Sequence, residues 1–360
     1  MLELIAHPTA DQPRADVHNG LQRRQVVFQQ GLARLHNVHN HVGQAQDGIQ
    51  TVIKAVCISE KRGTVKKNIN EVNVIKDFGL EGDAHAGKWH RQVSFLSADI
   101  VDEFNEKGAS VIEGDFGENI LAYGIDFKKL PVGTKLICND AKFEITQIGK
   151  ECHSHCEIYK RVGDCIMPRE GIFAKVLESG TIKVGDKIEV IYPEKDMPYM
   201  AAVMTLSDKG SRGERVDTSG PRAAEILKEH GFEIVEEILL PDEEAQIKKH
   251  LIRLSDSRQV DLIITTGGTG LSPRDRTPEA TLAVADRNVP GISEAIRAGS
   301  MTITKRAMLS RGVSVIRKKT LIINLPGSKK AVEESLSFII DQLPHGLDTL
   351  RENTEDCGRN

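Results

Sequence analysis

Two kinds of apolar periodicity divide the chain. From Thr51 to Glu194 apolar residues come in short runs, TVIKAVCI, QVSFLS, TKLICND, AKFEITQIG and TIKVGDKIEVIY, broken by Gly and Asn-Asp turns. Such runs at short spacing predict a compact β-rich domain. One helix is predicted over SADIVDEFNEKG, where Ser97 can cap and Gly108 can stop it. PVGTKLIC and KVGDKIEV echo each other as two copies of one turn-and-strand device, too short to signal a repeat architecture. The segment YPEKDMP, residues 192–198, sets two prolines and three charges between apolar strands and marks a linker, which places the domains at 51–195 and 196–360. Beyond it MAAVMTLSD, EIVEEILL, VDLIITT and TLIINLP read as strands with helical segments between them. TSGPRAAEILKEHG has Pro221 in its first turn and Gly231 at its end, and Asp242 opens DEEAQIKKHLIRLSD, where Ala245, Ile247, Leu251, Ile252 and Leu254 fall near a helical spacing. PEATLAVADR, SEAIRAGSMTITKRAML and SKKAVEESLSFIIDQL complete the alternation. Strands alternating with helices of this length predict an α/β three-layer domain with a mostly parallel sheet covered on both faces.

Residues 1–50 follow neither pattern. They hold no lysine, eight glutamines and five of the twelve histidines (His7, His18, His36, His39 and His41), and only LQRRQVVFQQGLARL reads as an amphipathic helix. A flexible extension is expected; histidine-rich metal capture and a misassigned start, with Met167 the next methionine, stay open.

Composition narrows the function classes. With 39% hydrophobic and 28% charged residues the chain is of ordinary globular type, and 4% aromatics argue against base-stacking platforms. A net charge of -4 supplies no general attraction for nucleic acid or anionic membrane, so an anionic ligand must be met by local positive groups. No apolar run approaches membrane-span length and no signal peptide opens the chain, so a cytoplasmic protein is expected. Six cysteines are too few for a disulfide scaffold.

Ligands of an open parallel sheet bind outside the carboxyl ends of its strands, which points to the loops SDKGSRGE, PDEE, GGTGLSPRD and PGSKK. These carry Asp208, Asp242 and Asp275, glycines 267, 268, 270 and 327, and cations including Arg212, Arg274, Lys329 and Lys330. Glycines let backbone N–H groups approach an anion, and acids on neighbouring loops hold a divalent metal against phosphate oxygens, so a magnesium-dependent, phosphate-handling site is predicted. Plainer readings stand beside it: Asp242 as a helix N-cap, Asp275 as a turn former, the glycines as backbone geometry. There is no G-x-x-x-x-G-K-[ST], and TTGGTG is not G-x-G-x-x-G, so any nucleotide site is of another kind. A second cluster, IGKECHSHCEIYKRVGDCIM, brings Cys152, Cys156 and Cys165 together with His153 and His155. Three readings stand: a tetrahedral metal site, buried thiols, or a reactive thiol favoured by Lys150 and the histidines.

MTLSDKGSRGERVDTSGPRAAEIL, LLPDEEAQI, DLIITTGGTGLSPRDRTPEAT and TLIINLPGSKKAVEESL together resemble the MogA/MoaB family, the molybdopterin-binding domain that adenylylates molybdopterin. The resemblance implies transfer of AMP from ATP to molybdopterin with Mg2+. Asp242 and Asp275 match the family's functional acids and are expected to serve catalysis and the metal. The phosphate loop is matched by Thr265, Thr266, Gly267, Gly268, Thr269 and Gly270, and a second binding loop by Asn324, Pro326, Gly327 and Ser328, with Asp208 a further binding candidate. A homotrimer and a molybdate-insertion partner are implied as well. LEGDAHAGKWHRQVSFLS, GDFGENILAYGIDFKKLPVGTKL, GKECHSHC and EGIFAKVLESGTIKVGDKIEV resemble the MOSC domain, which implies a β-rich, barrel-like fold. Cys152 aligns with the family cysteine proposed to carry sulfur or contact the metal-pterin, and Asp83, His85, Gly114 and Asn119 sit in its motifs. The joint expectation is a molybdenum-cofactor biosynthetic enzyme; the rival is a non-catalytic cofactor carrier.

Overall fold

A computed structural model describes residues 50–151 and 157–352. The expectations for residues 1–49 and for Cys152, His153, His155 and Cys156 lie outside the described residues.

The first half holds strands β1 (Val52–Ile58), β2 (Lys67–Asn68), β3 (Glu71–Ile75), β4 (Gly79–Leu80), β5 (Val93–Ser97), β6 (Ile120–Tyr123), β7 (Lys135–Cys138), β8 (Ala141–Ile148), β9 (Ile172–Glu178), β10 (Gly180–Lys183) and β11 (Glu189–Ile191). Eight of them form a mixed, curled sheet in the order β11-β7-β8-β9-β5-β6-β1-β2, and β10-β3-β4 form a small separate one. Among the described residues the end strands β11 and β2 are not paired. An isolated bridge between Val52 and Lys187 and the bond from Ile188 N to Thr51 O draw the chain before β11 to β1, short of a continuous barrel. Alternation sorts the side chains: in β3, Val72 and Val74 turn inward and Glu71 and Asn73 outward. Phe95 anchors the core between Phe127 and Phe143, with ring centroids 5.6 and 5.3 Å away. Helix α1 (Ala98–Glu106) lays Ala98, Val101 and Phe104 on the other face, followed by the short helices α2 (Glu157–Val162) and α3 (Met167–Glu170). Ser97 occupies the N-cap position but makes no side-chain capping bond, so packing rather than the cap holds this helix. The two echoing segments pair with each other: β7 and β11 run antiparallel with Val190 opposite Leu136, and each is preceded by a glycine, Gly133 or Gly185, at φ +90°.

The second half holds strands β12 (Met200–Leu206), β13 (Glu233–Leu240), β14 (Leu262–Thr266), β15 (Arg287–Asn288), β16 (Ser314–Arg317) and β17 (Thr320–Leu325). Its helices are α4 (Asp208–Ser211), α5 (Ser219–Glu229), α6 (Glu244–Ile252), α7 (Thr277–Ala283), α8 (Pro290–Ile303), α9 (Lys329–Ser337) and α10 (Leu343–Arg351). The sheet order is β13-β12-β14-β17-β16-β15, parallel through β17 and antiparallel at β16 and β15. Strands β12, β14 and β17 are buried on both faces, which is why they read as unbroken apolar runs. Ala201, Val203 and Ile264 face α5, α9 and α10, whereas Ala202, Met204 and Ile263 face α6 and α7. This is the predicted three-layer α/β arrangement. Helix α6 starts one residue later than the sequence pattern placed it, with Glu243 rather than Asp242 at the N-cap, and that frees Asp242 for the loop. The chain reaches β13 from β12 and then crosses back over β12 to β14, so the carboxyl ends of β12 and β14 flank a topological switch point.

The two halves meet along a polar seam. The buried Arg258 donates to Thr146 O at 2.6 Å, Val132 N donates to Gln259 Oε1 at 3.0 Å, and Lys249 pairs with Glu151 at 2.7 Å. Arg351 clasps the linker by donating to Met197 O and Pro198 O while pairing with Asp261 at 2.7 Å. No helix among the described residues is long and apolar enough to cross a membrane.

Candidate active site

Four loops leave the carboxyl ends of β12, β13, β14 and β17 and surround a cleft of about 380 Å³. Its walls include Asp242, Gly267, Gly268, Thr269, Gly270, Asp275, Gly327 and Ser328. The glycines are required by geometry. Gly267 and Gly268 have φ of +98° and +62°, and a Cβ on Gly267 would stand 2.3 Å from Leu206 O. A Cβ on Gly268 would stand 2.2 Å from Thr277 Oγ1 and 2.8 Å from Asp242 Oδ1. Thr277, fully buried at the start of α7, fastens the loop by donating its Oγ1–H to Gly267 O at 3.0 Å and its N–H to Gly268 O at 3.2 Å. Gly267 N donates to Leu325 O, and the N–H groups of Gly268, Thr269 and Gly270 have no acceptor among the described residues. Unbonded donors on successive residues of a glycine turn are the groups from which an anion-binding concavity can be built.

The carboxylates divide by environment. Asp242 is 9% exposed; its Oδ2 accepts the Asp208 N–H at 3.1 Å, and its Oδ1, facing Gly268, has no partner. Burial, and then the negative charges of Asp208 and Asp275, push its carboxyl up, against the pull of the Asp208 N–H. Asp208 returns the contact by accepting the Asp242 N–H at 3.1 Å, but its own carboxylate is forked by Arg274 at 2.8 and 2.9 Å, which pulls its pKa down. Asp208 therefore steadies the PDEE loop from outside the cleft. Asp275 accepts the Ser272 N–H at 3.0 Å, shaping its turn, and its Oδ2 also lies against Gly270. Among the described residues no three His, Cys, Asp or Glu converge on one point. Two carboxylates, one with an orphaned oxygen, instead fit a hard cation that takes its remaining ligands from phosphate oxygens and water.

Other predicted positions lie behind this wall. Thr265 and Thr266 are fully buried: Thr265 Oγ1 accepts from Asn324 Nδ2 at 2.9 Å, and Thr266 shares a 2.9 Å hydrogen bond with Ser219 Oγ. Asn324 also donates to Thr281 Oγ1, so these side chains tie β14 to β17, α7 and α5 rather than face the cleft. Ser328 caps α9 by accepting the Ala331 N–H, and Pro326 sits between Asn324 and the exposed Gly327. Two contributors escaped the sequence reading. Asp217 lines the cleft and accepts the N–H groups of Ser219 and Gly220 at 2.9 and 3.1 Å; its signal is the D-T-S-G preceding a helix. Arg311 props the loop by donating to Gly270 O at 2.6 Å and Asp275 O at 2.5 Å while pairing with Glu279, and sequence distance hid it.

In the first domain Asp83 and Asn119 build a buried polar knot. Lys66 Nζ reaches Asp83 at 2.7 Å, and Asn119 Nδ2 donates to Asp83 Oδ2 and Cys57 O. His85 Nδ1 stays 3.9 Å from Asp83, and Gly114, at φ +89°, packs so closely that a Cβ would meet Lys66 O at 2.1 Å. Cys57 and Cys138 are buried thiols pushed up to about 12 by burial, and Cys165 is buried beside Met167.

Comparison with known proteins matches residues 202–345 to the family described as probable molybdopterin binding domain and residues 82–189 to the MOSC domain. A molybdopterin adenylyltransferase from Helicobacter pylori is 40% identical over 42% of this chain and 87% of its own length. One from Escherichia coli is 44% identical over 39% of this chain and 72% of its own. A solved structure of the molybdopterin biosynthesis enzyme MoaB from Thermus thermophilus is 47% identical, covering 43% of this chain and 97% of that one with a TM-score of 0.42.

Proposed function

Because the chain belongs, through its carboxy-terminal domain, to the molybdopterin-binding family that includes the molybdopterin adenylyltransferases, we propose that this domain adenylylates molybdopterin in molybdenum-cofactor biosynthesis. A terminal phosphate oxygen of molybdopterin attacks the α-phosphorus of ATP; the new P–O bond forms as the bond to the β-phosphate oxygen breaks, and pyrophosphate leaves. The observation that carries this reading is the orphaned Oδ1 of Asp242 facing a glycine turn with three free N–H donors.

A phosphate monoester has its second pKa near 6, so the attacking oxygen is already largely ionised at neutral pH and no side-chain nucleophile is required. Positioning and charge neutralisation do the work. The N–H groups of Gly268, Thr269 and Gly270 hold phosphate oxygens of the pterin or the nucleotide, and Asp242 and Asp275 would hold Mg2+. That ion supplies positive charge to the phosphates when bound. Asp208 and Arg274 keep the PDEE loop against the glycine turn, Thr265 and Asn324 tie β14 to β17 beneath it, and Thr266 ties β14 to α5.

For the first domain the reading is sulfur or metal-pterin handling through Cys152, with molybdenum cofactor as the ligand and a molybdate-insertion protein receiving the adenylylated pterin. Exposed Met301, Ile303, Met308 and Leu309 supply apolar surface for self-association as a trimer. A cytoplasmic location accords with buried, unpaired Cys57 and Cys138.

The test is pyrophosphate release from the full chain with molybdopterin and Mg-ATP. Turnover that falls on the order of 100-fold or more in Asp242→Asn and Asp275→Asn supports the reading. Pterin binding without pyrophosphate release would make the protein a carrier instead.

A further inference from the structure

A second cavity, of about 600 Å³, opens at the seam between the two domains, away from the glycine cleft. Residues 128–132 of the first domain line one side, residues 318–320 with Gln259 and Asp261 of the second line another, and the linker passes between. The volume suits a small organic ligand. Its floor is apolar, from Leu130, Pro131, Val132, Met197, Pro198 and Met200. Its cations are Lys128, Lys129, Lys195, Lys318, Lys319 and Arg351, against Glu194 and Asp261. Arg351 is committed to Asp261 and to the linker carbonyls, so these two charges cancel and the lysines dominate the rim.

Lys128, Lys129, Lys318 and Lys319 each have a carboxylate neighbour, at 3.0, 3.2, 3.5 and 3.4 Å. These are Glu170, Asp126, Asp256 and Glu352, and more than half of the Lys318 and Lys319 side chains is in solvent. Such exposed pairs contribute little, so an entering anion exchanges with them readily. The side chains lining the hollow thus carry six cations against two acids, and the partners of Lys128, Lys129, Lys318 and Lys319, namely Glu170, Asp126, Asp256 and Glu352, are not among them.

We propose that the seam cavity binds an amphipathic organic anion, with a ring-sized apolar body against Val132, Met197 and Met200 and a phosphate or sulfonate head among the rim lysines. Because Lys128 and Lys129 come from one domain and Lys318 and Lys319 from the other, the bound anion touches both. This site goes beyond adenylyl transfer and does not rest on it.

The probe is 8-anilinonaphthalene-1-sulfonate, followed by its fluorescence on the full chain. Saturable binding is expected that is displaced by 1-naphthyl phosphate, and the neutral N-phenyl-1-naphthylamine should bind about tenfold more weakly or worse. The double variant Lys318→Glu, Lys319→Glu should raise the Kd about tenfold or more while keeping its thermal midpoint and its pyrophosphate release, and Gly268→Ala should leave the Kd unchanged. The proposal fails if charge reversal leaves the Kd unaltered, if the neutral dye binds as well, if naphthyl phosphate does not compete, or if Gly268→Ala abolishes binding. Absence of pyrophosphate release from the parent chain would count against the adenylyl-transfer reading and not against this site.

Discussion

Burial pushes the Glu118 carboxyl from 4.5 up to about 7, against the pull of the Gly114 N–H, which one of its oxygens accepts at 2.6 Å while the other has no partner. The folded pKa lies above the unfolded one, so the unfolded state ionises first. Stability therefore falls as pH rises from 4.5 to about 7, and the deficit is complete above that range. Glu118→Gln keeps the acceptor and removes the charge. Its urea midpoint, read from Trp89 fluorescence, should exceed that of the parent at pH 8, with the gain disappearing near pH 4.5; an equal gain at both pH values would refute the assignment. Asp242 follows the same sign, since burial and like charge raise its pKa. Asp242 and Asp275 were visible in PDEE and RDRTPE because both segments follow strands of a parallel sheet and carry the resemblance to the MogA/MoaB family. Asp217 and Arg311 were not, since a cap and a prop resemble any other polar residue until their partners are in place.

At the scale of elements, the turn after β14 carries the site, and its glycines are strained positions for any other residue. Gly268→Ala places a methyl at positive φ against Thr277 and Asp242, and should cost about 1–3 kcal/mol while lowering pyrophosphate release at least as far as Asp242→Asn. Gly346, in α10 with open space around its Cβ position, is the counterpart: Gly346→Ala should stabilise by about 0.4–1 kcal/mol and leave turnover alone. Thermal midpoints and the pyrophosphate assay check both. Strands β12, β14 and β17 were readable as apolar runs, but β16 was not. Its hairpin to β17 turns through Lys318 and Lys319, with Lys318 at φ +52°, and two lysines carry none of the Asn-Gly signal that marks a tight turn.

For the whole molecule the seam is the new element. Arg258 is 5% exposed and lowered by burial to about 10, yet it donates to Thr146 O and sits 3.9 Å from Glu236, so it joins the domains through a charged group held out of water. Arg258→Met keeps most of its bulk and removes both contacts. Unfolding of the first domain, reported by its single tryptophan, Trp89, should then separate from the calorimetric transition of the second. Coincident transitions in the variant would show that the seam is held elsewhere.

The order of apolar and polar residues by itself determined the layers of the second domain, the helix faces and the loops that carry chemistry, because a buried parallel sheet leaves an apolar record in every central strand. It also determined that a glycine turn and two acids lie at the carboxyl ends of the strands. Only the tertiary structure decided which hydroxyls face the cleft and which tie strands together, that Asp242 is released from capping a helix, and that two domains enclose a cationic hollow. Those outcomes depend on partners tens of residues away in the chain, and periodicity records burial without recording the partner.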